Sequence, residues 1–195
     1  MNYGQLKSEL VGLGFSDETE LQDFGQIVPD AINRAITEIN LTVAPIIGTV
    51  EIEQDGTEED VLYYDMNSLT KKNGVVKFLD FADTPVRIGT DVYRKFNNFE
   101  IENGNTLVID GRIKGNFKIF YKKAHETITL DTPDDTNIEL PLKAHILLPL
   151  LTAYYVWLED EKSKAVDYYN QYEKLSQTVV GESMRPRMTI LSGGI

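Results

Sequence analysis

LPLKAHILLPLLTAYYVWLEDEKSKAVDYYNQYEKLSQTVV, residues 140–180, is the stretch whose reading decides the fold. Apolar side chains recur at helical spacing at Leu142, Ile146, Leu150, Ala153 and Trp157, and again at Ala165, Tyr168, Tyr172, Leu175 and Val179. The second set alternates steps of three and four, which puts one apolar stripe on a helix of period 3.6 and leaves Lys162, Lys164, Asp167, Asn170 and Glu173 on the other faces. Glu159, Asp160 and Glu161 form a charged corner between the two sets. So short a connection predicts two antiparallel helices packed side by side.

Toward the N-terminus, Tyr3 to Leu13 predicts a short helix carrying Leu6, Leu10 and Leu13 on one side and ended by Gly12 and Gly14, and Ser16 to Thr19 offers a cap for the next helical segment. From about Asp23 to Leu41, Ile27, Val28, Ala31, Ile32, Ala35, Ile36 and Ile39 predict a core helix, with Pro29 either in its first turn or kinking it. At Pro45 the period changes to two. Val50 to Glu53, Val61 to Tyr64, Val75 to Phe81, Val86 to Phe96 and Gly115 to Lys123 read as strands, and Phe99 to Asp110 reads as a hairpin turning on Asn103-Gly104-Asn105. Phe117, Ile119 and Tyr121 alternate with Lys118 and Lys122, so that last strand has one buried face and one basic, wet face.

These readings predict an α+β fold: a helical bundle formed by the N- and C-terminal helices, residues 1–45 with 140–180, a β-rich insertion over 46–139, and an extended C-terminal tail over 181–195.

Among 195 residues, 42% are hydrophobic, enough to bury a core, and no apolar run approaches the roughly 18 to 20 residues of a membrane span. Met1 to Leu10 lacks a signal peptide's apolar block, so the protein is expected to stay in the compartment where it is made. The absence of cysteine excludes disulfides and thiolate metal sites. The formal charge of −12 disfavours non-specific DNA binding by the whole chain. The charge is uneven, with eleven Lys and Arg against six Asp and Glu between Lys71 and Lys123. That basic run reads either as the wet face of strands or as one pole of a module that docks a neighbour through Lys118 and Lys122.

No catalytic motif occurs: no Walker loop, dinucleotide fingerprint, nucleophile elbow or zinc-protease helix. His125 and His145 lack ligand spacing, and Asp131, Asp134, Asp135 and Glu139 lack the alternation and glycine of a calcium loop. No cofactor is expected, and no enzyme activity. Aromatic residues between Tyr63 and Tyr121, interleaved with Lys and Arg, suit a small β-domain core, or base stacking in a nucleic-acid-binding module over 71–123.

Taken in order, the parts resemble the head-to-tail adaptor, or connector, proteins of tailed bacteriophages, including the larger tail tubular type. The residues that carry the resemblance are Asn33-Arg34-Ala35 flanked by Ile32 and Ile36, the strand Gly115 to Tyr121, the Asp-rich approach Asp131 to Pro141, the helix ending in Tyr154, Tyr155 and Trp157, and the helix Ala165 to Glu173. The resemblance implies a structural virion protein made in the host cytoplasm, twelve copies of which form a ring in the neck below the portal and continue the DNA channel. Its implied partners are copies of itself, the portal protein, tail or further neck proteins, and DNA that passes without specific binding. It also implies that the tail, with Arg185, Arg187, Met188, Ile190 and Leu191, reaches into the portal or a neighbouring subunit. The long β insertion departs from the smaller adaptors.

Overall fold

The computed structural model describes residues 1–15, 17–88 and 93–183. Among the described residues there are six α-helices: α1 (Tyr3–Val11), α2 (Glu18–Asp23), α3 (Ile27–Thr42), α4 (Met66–Leu69), α5 (Leu148–Trp157) and α6 (Lys162–Ser183). The strands are β1 (Ile47–Gln54), β2 (Val61–Asp65), β3 (Phe78–Phe81), β4 (Val86–Ile88), β5 (Tyr93–Lys95), β6 (Phe99–Glu102), β7 (Thr106–Asp110) and β8 (Gly115–Lys123), arranged in two antiparallel sheets.

This is a mixed α/β chain, and it overturns the expected α+β architecture of a bundle closed by N- and C-terminal helices with the strands as an insertion. The strands build a core of their own, in which Ile52, Phe78, Leu107, Ile109, Phe117 and Ile119 are buried together with Met66. A helical stripe shows that a face is buried without showing what buries it. Long stripes therefore took credit for a core that short strands also build, a few side chains at a time. The chain separates into two compact units, residues 45–126 and the remainder. Residues 127–139, read as part of the β segment, belong with the helices.

In the helical unit, α5 packs against α1, α3 and α6. Asn2 and Gln5 close a reciprocal capping box at the start of α1, and Asp17 accepts from the N–H groups of Thr19 and Glu20 at the start of α2. Pro29 lies in the first turn of α3, where a missing N–H costs nothing. The chain after α1 is fastened by side chains of α5 and α6. Trp157 Nε1 and the Tyr168 hydroxyl both donate to the Leu13 carbonyl, at 3.2 and 2.6 Å, and Lys164 donates to the Gly14 carbonyl at 3.1 Å.

Two helical expectations are corrected. The first helix of the 140–180 stretch begins at Leu148 with Pro149 in its opening turn, and Leu142–Ala144 is only a turn of 3₁₀-helix. Proline interrupts the ladder anywhere but the first turn, so helical spacing upstream of Pro149 does not make one continuous helix. Leu142 and Ile146, assigned to the buried stripe, are 84% and 58% exposed. At the other end α6 runs through Ser183, so residues 181–183, expected in the extended tail, are helical.

In the β unit, β8 is the axis of one sheet. β1 pairs along its whole length on one side, while β3 and β4 pair with it at different registers, and β5 extends β4. Gly48 stands opposite Tyr121, and a Cβ there would fall 2.4 Å from the tyrosine ring, so the glycine is what lets the ring lie across β1. The second sheet has the order β2-β7-β6. Its β6–β7 turn places Asn103 and Gly104 at φ of 53° and 74°, a conformation that asparagine and glycine tolerate. The expected strand Val75 to Phe81 is shortened to β3, and within the expected Val86 to Phe96 the described residues form β4 and β5.

Candidate functional site

Lys118 and Lys122 lie on β8, on the face opposite Phe117, Ile119 and Tyr121, as strand alternation requires. Register sets Glu51 of β1 against Lys118 and Asp80 of β3 against Lys122, and the Nζ atoms lie 3.5 and 3.3 Å from those carboxylates. Lys77 is only 5% exposed and reaches Glu126 at 3.0 Å, holding that carboxyl below the usual glutamate range. Arg112 donates to Asp110 through Nε and Nη2, at 3.0 and 2.7 Å, and these hydrogen bonds bring the Asp110 carboxyl down to about 2. Four cations of the run that is basic when read along the chain, Lys77, Arg112, Lys118 and Lys122, are thus met by carboxylates, the last two by those of neighbouring strands. A phosphate approaching Lys118 or Lys122 competes with a carboxylate already in place.

The tail residues Arg185, Arg187, Met188, Ile190 and Leu191 lie outside the described residues. His145 is half-buried, and burial pushes its imidazole below the usual histidine value. Asp134 pairs with Lys7 at 2.6 Å, and its carbonyl accepts from the Gly4 N–H, so part of the acidic approach is fastened to α1. Among the described residues no group of three His, Asp or Glu side chains could hold a metal ion.

The densest functional-type chemistry is a tyrosine face in the helical unit. α3 presents Arg34, Glu38 and Thr42 at four-residue spacing, along one face. Tyr155 of α5 donates its hydroxyl to the Glu38 carboxylate, and the Arg34 guanidinium lies 4.2 Å from the centre of the Tyr155 ring. Burial, and then the Glu38 carboxylate, push the Tyr155 hydroxyl up to about 12. Tyr154, Tyr169 and Tyr172 continue the face, with successive ring centres 4.9 and 5.9 Å apart. A groove runs beside them, bounded by Thr42 and Val43 of the α3 end and by Tyr169, Tyr172, Glu173 and Val180 of α6.

Tyrosine and arginine at this density is the composition of interaction hot spots. Sequence reasoning met these tyrosines only as stripe positions and as carriers of a resemblance. It missed that Arg34 and Glu38, on the polar side of the α3 stripe, meet Tyr155. Their i, i+4 spacing was the available signal, but it cannot name a partner on another helix. No protein-family model matches this chain, and no curated protein matches it in sequence.

Proposed function

We propose that this chain is a structural protein of a tailed bacteriophage, a subunit of the ring that joins head to tail below the portal and continues the DNA channel. In this reading twelve copies form the ring in the virion neck. The portal protein lies on one side, tail or further neck proteins on the other, and DNA passes without being gripped. The protein is a scaffold of contacts, not an enzyme.

The observation that carries the reading is the amount of surface suited to contact with other chains. The three-stranded sheet ends in β2, which has no strand partner on its outer side among the described residues, and its Val61 and Tyr63 are 45% and 60% exposed. Leu142 and Ile146 add exposed apolar area on the helical unit. Open edges and apolar patches are liabilities in a monomer and assets in an assembly. The pairing of Lys118 with Glu51 and of Lys122 with Asp80 further supports a DNA path without a phosphate grip.

Native mass spectrometry and negative-stain imaging of the purified protein, alone and mixed with its portal, test the reading. A ring-shaped oligomer, free or on the portal, is expected. A protein that stays monomeric, ignores the portal and binds labelled oligonucleotide at submicromolar concentration in about 0.15 M salt would be a nucleic-acid-binding module instead.

A further inference from the structure

We propose that the groove between the end of α3 and α6 is the docking site of the chain's own C-terminal segment, MRPRMTILSGGI, residues 184–195. The inference is independent of the ring reading and rests on three observations.

The first is position. Val180 lines the groove, and the described part of α6 reaches Ser183, three residues beyond it, so the segment that follows is tethered close to the groove. The second is chemistry. The segment carries Arg185 and Arg187 with no acidic residue, followed by Met188, Ile190 and Leu191. The groove offers Glu38 and the exposed Glu173 beside the aromatic and apolar surfaces of Tyr169, Tyr172, Val43 and Val180. Charge and apolar character therefore match within one chain whose net charge elsewhere is strongly acidic.

The third is reach. The far end of the groove, Tyr169, lies about 21 Å back along α6 at 1.5 Å per residue. Twelve residues span up to about 40 Å when extended. Pro186, a residue helices do not carry past their first turn, follows Ser183 by three residues in the sequence, and a segment that is to turn back along α6 needs such a break. Tethering makes the docking intramolecular, so weak contacts suffice to hold it.

The chain has no cysteine, so an introduced pair reports on itself alone. In the full-length protein, Gln177→Cys with Met188→Cys is compared under mild oxidation with Glu9→Cys and Met188→Cys. Positions 177 and 9 are both exposed. The expected result is an intramolecular disulfide forming at least tenfold faster in the first pair, slowed several-fold by Glu173→Lys and restored when Arg187→Glu is added. In the unmodified protein, hydrogen exchange over residues 184–195 is expected to be at least tenfold slower than in a free peptide of the same sequence. Equal disulfide rates in the two pairs overturn the proposal, as does exchange at the free-peptide rate. A covalent dimer as the main product also overturns it, because the segment then belongs in the groove of a second copy.

Discussion

Asn33 of α3 holds the backbone of Ile128 from both sides: Nδ2 donates to the Ile128 carbonyl at 2.7 Å, and Oδ1 accepts from the Ile128 N–H at 2.9 Å. One amide side chain thus satisfies both polar groups of a residue that is only 4% exposed. This clamp ties the chain after the strands to α3. Asn33→Leu would leave a partly buried N–H and C=O without their partner and is expected to cost about 2 to 4 kcal/mol, with Asn33→Asp, which keeps one acceptor but sets a carboxylate oxygen against the Ile128 carbonyl, at least as costly. Urea unfolding checks both, and an unchanged midpoint for the leucine variant would show that other contacts hold Ile128.

Lys77 and Glu126 are an unequal pair, a buried ammonium and a carboxylate that is half in solvent. Removing the charged lysine in favour of an apolar chain of similar shape, Lys77→Met, is expected to change stability by less than about 1 kcal/mol, whereas Glu126→Ala strands the ammonium and is expected to cost about 1 to 2 kcal/mol. Because Lys77 depresses the folded value of Glu126, the contribution of the pair is complete above the ordinary glutamate value of about 4.3 and is lost as pH falls through the lower folded value. Denaturation midpoints from pH 7 to 3 should therefore fall less steeply in Glu126→Gln than in the parent.

Tyr155 titrates in the opposite direction. Its folded value, about 12, lies above the ordinary tyrosine value, so the neutral hydroxyl is the stabilised form. That stability is present below about pH 10 and is lost as pH rises toward 12. Tyr155→Phe is expected to cost about 1 to 2 kcal/mol at pH 7, by loss of a hydrogen bond to a carboxylate, and to flatten the alkaline fall in stability. Ultraviolet titration should show one fewer tyrosine ionising near pH 12. A titration curve unchanged by the substitution would refute the assignment of the shift to Tyr155.

Two leucines of the 140–180 stretch separate packing from contact surface. Leu151 is fully buried in α5, and Leu151→Ala is expected to cost about 2 to 5 kcal/mol. Leu142 is 84% exposed, and Leu142→Ala is expected to stay within about 0.5 kcal/mol of the parent while weakening self-association. Thermal unfolding and sedimentation at matched concentrations distinguish the two effects. Loss of stability in Leu142→Ala without any change in association would remove this residue from the contact surface.

Half-buried Leu175 shows how far a sequence stripe can be trusted: its place in the three-four alternation put it on the inner face of α6, but the depth of burial depended on what faced it. Local physics is what the amino-acid order made legible. Helical spacing marked α3 and α6, the change of period at Pro45 marked where strands begin, and Asn103-Gly104 marked the β6–β7 turn because those residues accept positive φ. The rest depends on contacts between segments distant in the chain. That Lys118 meets Glu51 comes from β1 pairing with β8, and that Lys122 meets Asp80 comes from the register of β3 on the other side of the same strand. The partnership of Glu38 with Tyr155, and the core that the short strands build for themselves, arise in the same way. Periodicity reports which face of an element is apolar, because it acts over a few residues. Which element covers that face, and which carboxylate meets which cation, is decided by chain closure over tens of residues, and only the tertiary structure records it.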